Sequence, residues 1–369
     1  MSGRRLALAR AISVVENERP GFQAFLHAIL IRGKGGGRRV GVTGPPGAGK
    51  SSLVASMALR CRKAEEEVGI VAVDPTSPYS GGALLGDRIR MNDLATDPGI
   101  FIRSMASRGS LGGLATTTKE VIDVMEGFGF PRIIIETVGV GQTELEVTGA
   151  ADTVVVVLTP ESGDGIQAMK AGLMEIADIF VVNKADRPGA DRLVKEIRMA
   201  LKLRTGKGGG GGSGHHGPGG HHGPAGHHGP GASSPKAERD PETDSGEVGE
   251  EGPGTWTPPV LLTMAQTGEG VGELLEAVDA HRQWLEASGE LEERRRARME
   301  DRIREVLDRE ARRRVRKTLS ETDRLADALA RIVEGEATPY SEAALFLGLM
   351  GLDADEAPLP GVDPGEPGS

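Results

Sequence analysis

The stretch GPPGAGKS, Gly44 to Ser51, matches the spacing G-x-x-x-x-G-K-[ST], with an apolar strand-like run before it and a helical pattern after it. Glycines at 44, 47 and 49, with Pro45, Pro46 and Ala48 between them, let the backbone curl so that its amide N–H groups point inward. The helix that follows adds its positive end beneath bound phosphates. In such a loop Lys50 is expected to bridge the β- and γ-phosphates, with the Ser51 hydroxyl on Mg²⁺ and Ser52 beside it on the nucleotide.

A second motif fixes the base. NKAD, Asn183 to Asp186 with Lys184 inside it, follows the apolar run Ile179 to Val182. The Asp186 carboxylate can accept both N1–H and the exocyclic amine of guanine, whereas adenine lacks the N1–H and would leave it unpaired. A site built on such a donor can reject the wrong base by a factor on the order of 10⁴, so GTP is expected rather than ATP. Further on, Met264, Ala265 and Gln266 in TMAQTGEG occupy the place of a loop that closes over the base through a backbone amide.

Three acids and one glycine complete the predicted site. Asp74 ends a strand in IVAVDPTSP and Asp87 follows in GGALLGDRIRM, so both carboxylates can reach the metal face directly or through water. Glu136 ends the run Arg132 to Ile135 and opens ETVGVGQTE, where the acid and Gly139 are expected to sense the γ-phosphate. Val140, immediately after that glycine, can neither orient water nor donate a hydrogen bond. Intrinsic hydrolysis is therefore expected to be slow and stimulated by a partner.

Positioning these residues requires an alternating chain. Short apolar runs at Val40–Thr43, Ile70–Asp74, Ile100–Arg103, Arg132–Glu136, Thr153–Leu158, Ile179–Asn183 and Val260–Thr263 alternate with helical patterns. The pattern predicts an α/β fold of P-loop NTPase type, a parallel sheet flanked by helices. Two amphipathic helices within residues 1–37 form a cap on the core at 38–204 and 257–288. Residues 205–256, rich in Gly, Pro and His, read as a disordered insertion in which the pairs His215/His216, His221/His222 and His227/His228 recur. A stripe of Met299, Ile303, Val306, Leu307, Val315, Leu319, Leu325, Leu329 and Val333 marks a helical arm over 289–350, which either folds back on its own domain or pairs with a second copy, the reading as a dimerisation surface being favoured. The acidic, Pro-rich tail 351–369 reads as disordered.

Composition narrows the partners. A net charge of −10 argues against nucleic acid, and the longest strongly apolar run, Thr153 to Leu158, is too short to span a membrane. Cys61, the single cysteine, excludes an intrachain disulfide and reads as a buried thiol. Glu16 and Glu18 enter too early for a transit peptide, which points to a cytoplasmic protein.

With GPPGAGKS, VDPTSPYSGGALLGDRIRM, ETVGVGQTE, GDGIQAMKAGLMEIAD and VNKADR in this order, the chain closely resembles the MeaB/MMAA/ArgK family of GTPases, which chaperone adenosylcobalamin-dependent methylmalonyl-CoA mutase. The resemblance implies Lys50 and Ser51 at phosphate and Mg²⁺, Asp74 and Asp87 on the metal side, Glu136 in the second switch, and Asn183 and Asp186 on guanine. It also implies a further switch loop over Glu161 to Met174, in which Asp164 and Lys170 couple nucleotide state to the mutase and assist hydrolysis. A homodimer through C-terminal helices, an acyl-CoA mutase as client and a cobalamin adenosyltransferase as a further partner follow from the same resemblance. The insertion departs from the family, and its six paired histidines suit Ni²⁺, Co²⁺ or Zn²⁺. The competing reading is thus a GTPase that delivers nickel or cobalt to a metalloenzyme.

Overall fold

The computed structural model describes residues 2–32, 36–74, 94–106, 116–137, 147–161, 172–205, 254–320 and 324–351. All seven apolar runs form strands: β1 (Arg38–Thr43), β2 (Val68–Asp74), β3 (Ile100–Ala106), β4 (Arg132–Glu136), β5 (Thr153–Leu158), β6 (Ile179–Asn183) and β7 (Val260–Thr263). They make one sheet in the order β3-β2-β4-β1-β5-β6-β7, and every pairing is parallel.

The helices are α1 (Ser2–Glu16), α2 (Phe22–Arg32), α3 (Lys50–Lys63), α4 (Thr116–Gly127), α5 (Ala190–Thr205), α6 (Val271–Ser288), α7 (Glu290–Ser320), α8 (Arg324–Val333) and α9 (Pro339–Leu349), with one further helical turn at Leu173–Ile176. Because successive strand side chains point to opposite faces, β5 sends Val154, Val156 and Leu158 into one apolar layer and Val155 and Val157 into the other. The first layer includes Ile12 of α1, Leu26 of α2, Met125 of α4 and Ile197 of α5. The second includes Leu53 and Met57 of α3 and Leu274 and Val278 of α6. Burial on both faces is what the unbroken runs RIIIE and TVVVVL predict for central strands.

Parallel pairing brings the ends of β1, β4, β5 and β6 to one edge. Val42 is in register with both Glu136 and Val155, and Asn183 with Thr263. The phosphate loop, the predicted switch acid and NKAD therefore leave the sheet side by side, at the strand ends where parallel α/β sheets bind ligands.

The chain divides into two compact units, residues 1–299 and 300–369. The division falls inside α7, whose first turns belong to the core. Asp152, 1% exposed just before β5, accepts from Arg282 at 2.9 Å, from Arg295 at 3.1 Å and from Arg298. Asp178, just before β6, accepts from Arg294 at 3.0 Å and from the Val154 N–H at 2.8 Å. Within the second unit, Arg331 of α8 donates to Glu342 of α9 at 2.9 and 2.6 Å. Ile303, Leu307, Leu325, Leu329 and Val333 of the stripe are exposed. Among the described residues no helix is long and apolar enough to cross a membrane.

Cys61 is buried, and burial pushes its thiol up to about 12 despite the opposing pull of Arg132.

Candidate nucleotide site

The loop between β1 and α3 has the shape its glycines predict. Gly44, Gly47 and Gly49 adopt φ of 137°, 77° and 86°, where side-chain-bearing residues are strained. A Cβ on Gly44 would lie 2.1 Å from the Val157 carbonyl oxygen, so the loop can leave the sheet beside β5 only as glycine. Gly49 caps α3, and a Cβ there would meet Asn183 Nδ2 at 2.5 Å.

Lys50 is buried and folds onto the loop, its Nζ donating to the carbonyls of Gly44 at 2.8 Å and Pro45 at 3.1 Å. Its ammonium thus stands over the loop that phosphates would enter. Beside it the Ser51 hydroxyl donates to Glu136 Oε1 at 2.5 Å, both residues being buried. A hydroxyl and a carboxylate at contact distance are hard oxygen donors of the kind Mg²⁺ takes alongside phosphate and water, so this pair fits the ion. Thr137, next in the chain, donates its hydroxyl to Thr43 at 2.9 Å and its N–H to the Val42 carbonyl, fixing the end of β4 against the end of β1.

Asn183 joins three segments. Its Nδ2 donates to the Ala48 carbonyl at 2.9 Å, and its Oδ1 accepts from the Ala265 N–H at 3.1 Å and from Thr263 Oγ1 at 3.2 Å. The amide oxygen is fully engaged within the protein, and one Nδ2 hydrogen remains for a ligand. Sequence reasoning gave Asn183 a share in reading guanine; its observed contacts are ties between the phosphate loop, NKAD and the Met264–Gln266 loop. Ser56 of α3, also donating to the Ala265 carbonyl, strengthens the last of these. Asp186 is exposed on the rim of the groove these ties create.

Two clefts form that groove. One, of about 270 Å³, is lined by Gly49, Ser52, Asn183, Lys184, Asp186, Arg187 and Met264 to Thr267. The other, of about 540 Å³, is lined by Pro46, Gly47, Gly49 to Ser52, Ala72, Val73, Glu136, Thr137, Lys184, Arg187 and Gln266. They share Gly49, Ser52, Lys184, Arg187 and Gln266, so a base lobe with one carboxylate is continuous with a phosphate lobe holding an ammonium and a hydroxyl–carboxylate pair.

The structure brings together Gly44 to Ser52, Glu136, Asn183, Lys184, Asp186 and Met264 to Gln266. Asp74 ends β2 at the same edge of the sheet, but its side chain lies outside the described residues, as do Asp87, Gly139, Asp164 and Lys170. The histidine pairs, within residues 206–253, lie outside them too. Sequence reasoning missed Thr43, Ser56, Thr137 and Arg187, and it named Glu161 and Thr263 only as the first residues of the implied switch loop and of the loop over the base. Of these only Arg187 carried a local signal, a cation directly after NKAD.

A protein-family model described as methylmalonyl-CoA mutase-associated GTPase MeaB matches residues 8–320. A putative GTPase of Pyrococcus horikoshii is 41% identical over 345 residues, 94% of each chain. The mouse mitochondrial methylmalonic aciduria type A homolog is 33% identical over 311 residues, 80% of this chain and 64% of its own. A crystal structure of a LAO/AO transport system kinase, 24% identical, covers 94% of this chain and 93% of its own with a TM-score of 0.58, a likeness of fold. A phosphate loop, a guanine-type NKAD turn and a match along nearly the whole core converge on one conclusion: the chain belongs to the MeaB family of mutase-associated GTPases.

Proposed function

We propose that the protein binds GTP with Mg²⁺ in the continuous groove and uses the nucleotide state to gate adenosylcobalamin loading of an acyl-CoA mutase of the methylmalonyl-CoA mutase type, guarding it against inactive cofactor. The observation that carries the nucleotide part is the groove itself. Lys50 and the loop amides would hold the phosphates, Ser51 and Glu136 the ion, and Asp186 the base, within one cavity system. Bound Mg²⁺ supplies charge neutralisation at the phosphates; the chain's own part is to position them and exclude alternative bases.

The client rests on the family's description as mutase-associated. The exposed stripe on α7 and α8 supports a homodimer, because a row of Ile, Leu and Val left in water favours burial against a second copy. We also propose a cytoplasmic location and contact with a cobalamin adenosyltransferase.

The experiment is capture from cell extract on the protein loaded with a non-hydrolysable GTP analogue, followed by GTP turnover with and without the captured protein. A mutase that accelerates turnover supports the reading. Capture of no cobalamin enzyme, together with unchanged turnover when a purified mutase is added, refutes it. The three histidine pairs favour a second reading, delivery of nickel or cobalt. Deleting residues 207–252 separates the two: mutase protection survives on the first reading and is lost on the second.

A further inference from the structure

Arg187 follows NKAD directly and lines both lobes of the groove. The base lobe is marked by Asp186 and the Met264–Thr267 loop, and the phosphate lobe by Pro46, Lys50 and Glu136. A nucleotide laid across them must carry its ribose and α-phosphate past their shared wall, where Arg187 stands. In the structure its guanidinium is paired with Glu161, which also faces the Lys184 ammonium at 3.6 Å. Glu161 follows Pro160 beyond the end of β5, so this carboxylate reaches two groove-lining cations from outside both nucleotide motifs.

We infer that Arg187 is a further nucleotide-binding residue, which exchanges its partner Glu161 for the ribose–α-phosphate part of the bound nucleotide, and that Glu161 is the positioning residue that holds it beside the groove. The inference rests on the groove being the GTP site. The exchange is favourable for a physical reason. The Arg187 and Glu161 side chains are 43% and 50% exposed, and an ion pair so hydrated contributes little. A phosphate oxygen offers the same planar fork a charge-assisted, bidentate partner in a more enclosed place. Glu161 opposes nucleotide binding by occupying Arg187.

This predicts opposite signs for two substitutions on one ion pair, which a merely structural surface pair cannot give. Fluorescent GDP and GTP analogues are titrated into the full chain with Mg²⁺ present. Arg187→Ala should weaken both nucleotides by about tenfold and by the same factor, because the contact lies on the part they share, and Arg187→Lys should recover part of the loss. Glu161→Gln should tighten both by about threefold, and should do nothing in an Arg187→Ala background.

An Arg187→Ala protein within twofold of the parent overturns the inference. So does a Glu161→Gln protein that weakens binding, or a tightening that persists without Arg187, which would assign the effect to Lys184. Asp186→Asn is run alongside. If it leaves the preference for guanine over xanthine nucleotides intact, the groove is not the base site and the underlying reading fails; loss of that preference with an inert Arg187 sinks only the present inference.

Discussion

Replacing Asn183 with alanine tests whether three short segments are held as one site by a single side chain. The amide is 2% exposed and makes three hydrogen bonds, to the Ala48 carbonyl, the Ala265 N–H and the Thr263 hydroxyl. Thr263 can turn its hydroxyl elsewhere, but the two backbone groups cannot. Leaving a buried backbone group unsatisfied costs about 1–3 kcal/mol. Two of them give roughly 2–6 kcal/mol, and water entering from the adjoining groove brings the expectation to the lower end, about 2 kcal/mol. That corresponds to about 30-fold in GDP affinity, since the loops being loosened are those that form the pocket. The same loss should lower the melting temperature of the nucleotide-free protein by roughly 4–8 °C. Asn183→Asp keeps the acceptor for Ala265 and Thr263 but turns an anionic oxygen towards the Ala48 carbonyl. It should be at least as damaging, which separates the tie to the phosphate loop from the tie to Ala265. GDP titration and thermal unfolding read both effects. An alanine variant that binds GDP within threefold of the parent and melts within about a degree of it would show that these bonds do not hold the groove together.

Three further outcomes follow from single positions. Gly44→Ala should cost at least about 3 kcal/mol by denaturant unfolding and abolish nucleotide binding, because its Cβ meets the Val157 oxygen, whereas Gly47→Ala, with open space around it, should cost only the left-handed backbone strain of about 1–2 kcal/mol. Asp152 is subject to burial, which raises a carboxyl, but Arg298 and Arg295 outweigh it and hold the group below its ordinary 3.8. Its contribution is therefore complete above that value and is lost as pH falls through the lowered one, so Asp152→Asn should flatten the acid limb of a stability–pH curve; an unchanged acid limb would contradict this. Cys61, with its thiol pushed up to about 12 and buried, should resist alkylation at neutral pH in the folded protein and react only on unfolding, as followed by mass spectrometry.

The parts of this molecule that the sequence made legible are those whose physics is local. The inner strands β4, β5 and β6 announced themselves as short apolar runs because a strand buried on both faces tolerates little else, and all seven strands appear where such runs lie. The phosphate loop was legible because only glycine suits its backbone angles, and NKAD because its residues lie four in a row at a strand end. The contacts that assemble the site were not legible. Thr43 meets Thr137, Ser56 meets Ala265 and Glu161 meets Arg187 across long stretches of chain, and no spacing rule connects a lone hydroxyl or carboxylate to a partner so distant.

The root of the C-terminal arm was hidden for a related reason. Arg294, Arg295 and Arg298 sit in a run so charged that it reads as a solvated face, and Asp152 and Asp178 look like ordinary turn residues before strands. In the folded chain these five residues anchor the first turns of α7 to the core. Asp178 and Asn183 flank and end the same strand, β6, so a segment of six residues is tied to the arm at one end and to the nucleotide groove at the other. A rigid central strand fully buried along its length cannot shift at one end alone. Loosening Asp178 from Arg294 should therefore be felt as a change in nucleotide affinity. Arg294→Ala, at a residue that lines neither cleft of the groove, is the variant that measures it: a several-fold change in GDP affinity supports mechanical continuity along β6, and an affinity identical to the parent's shows that the strand isolates its two ends.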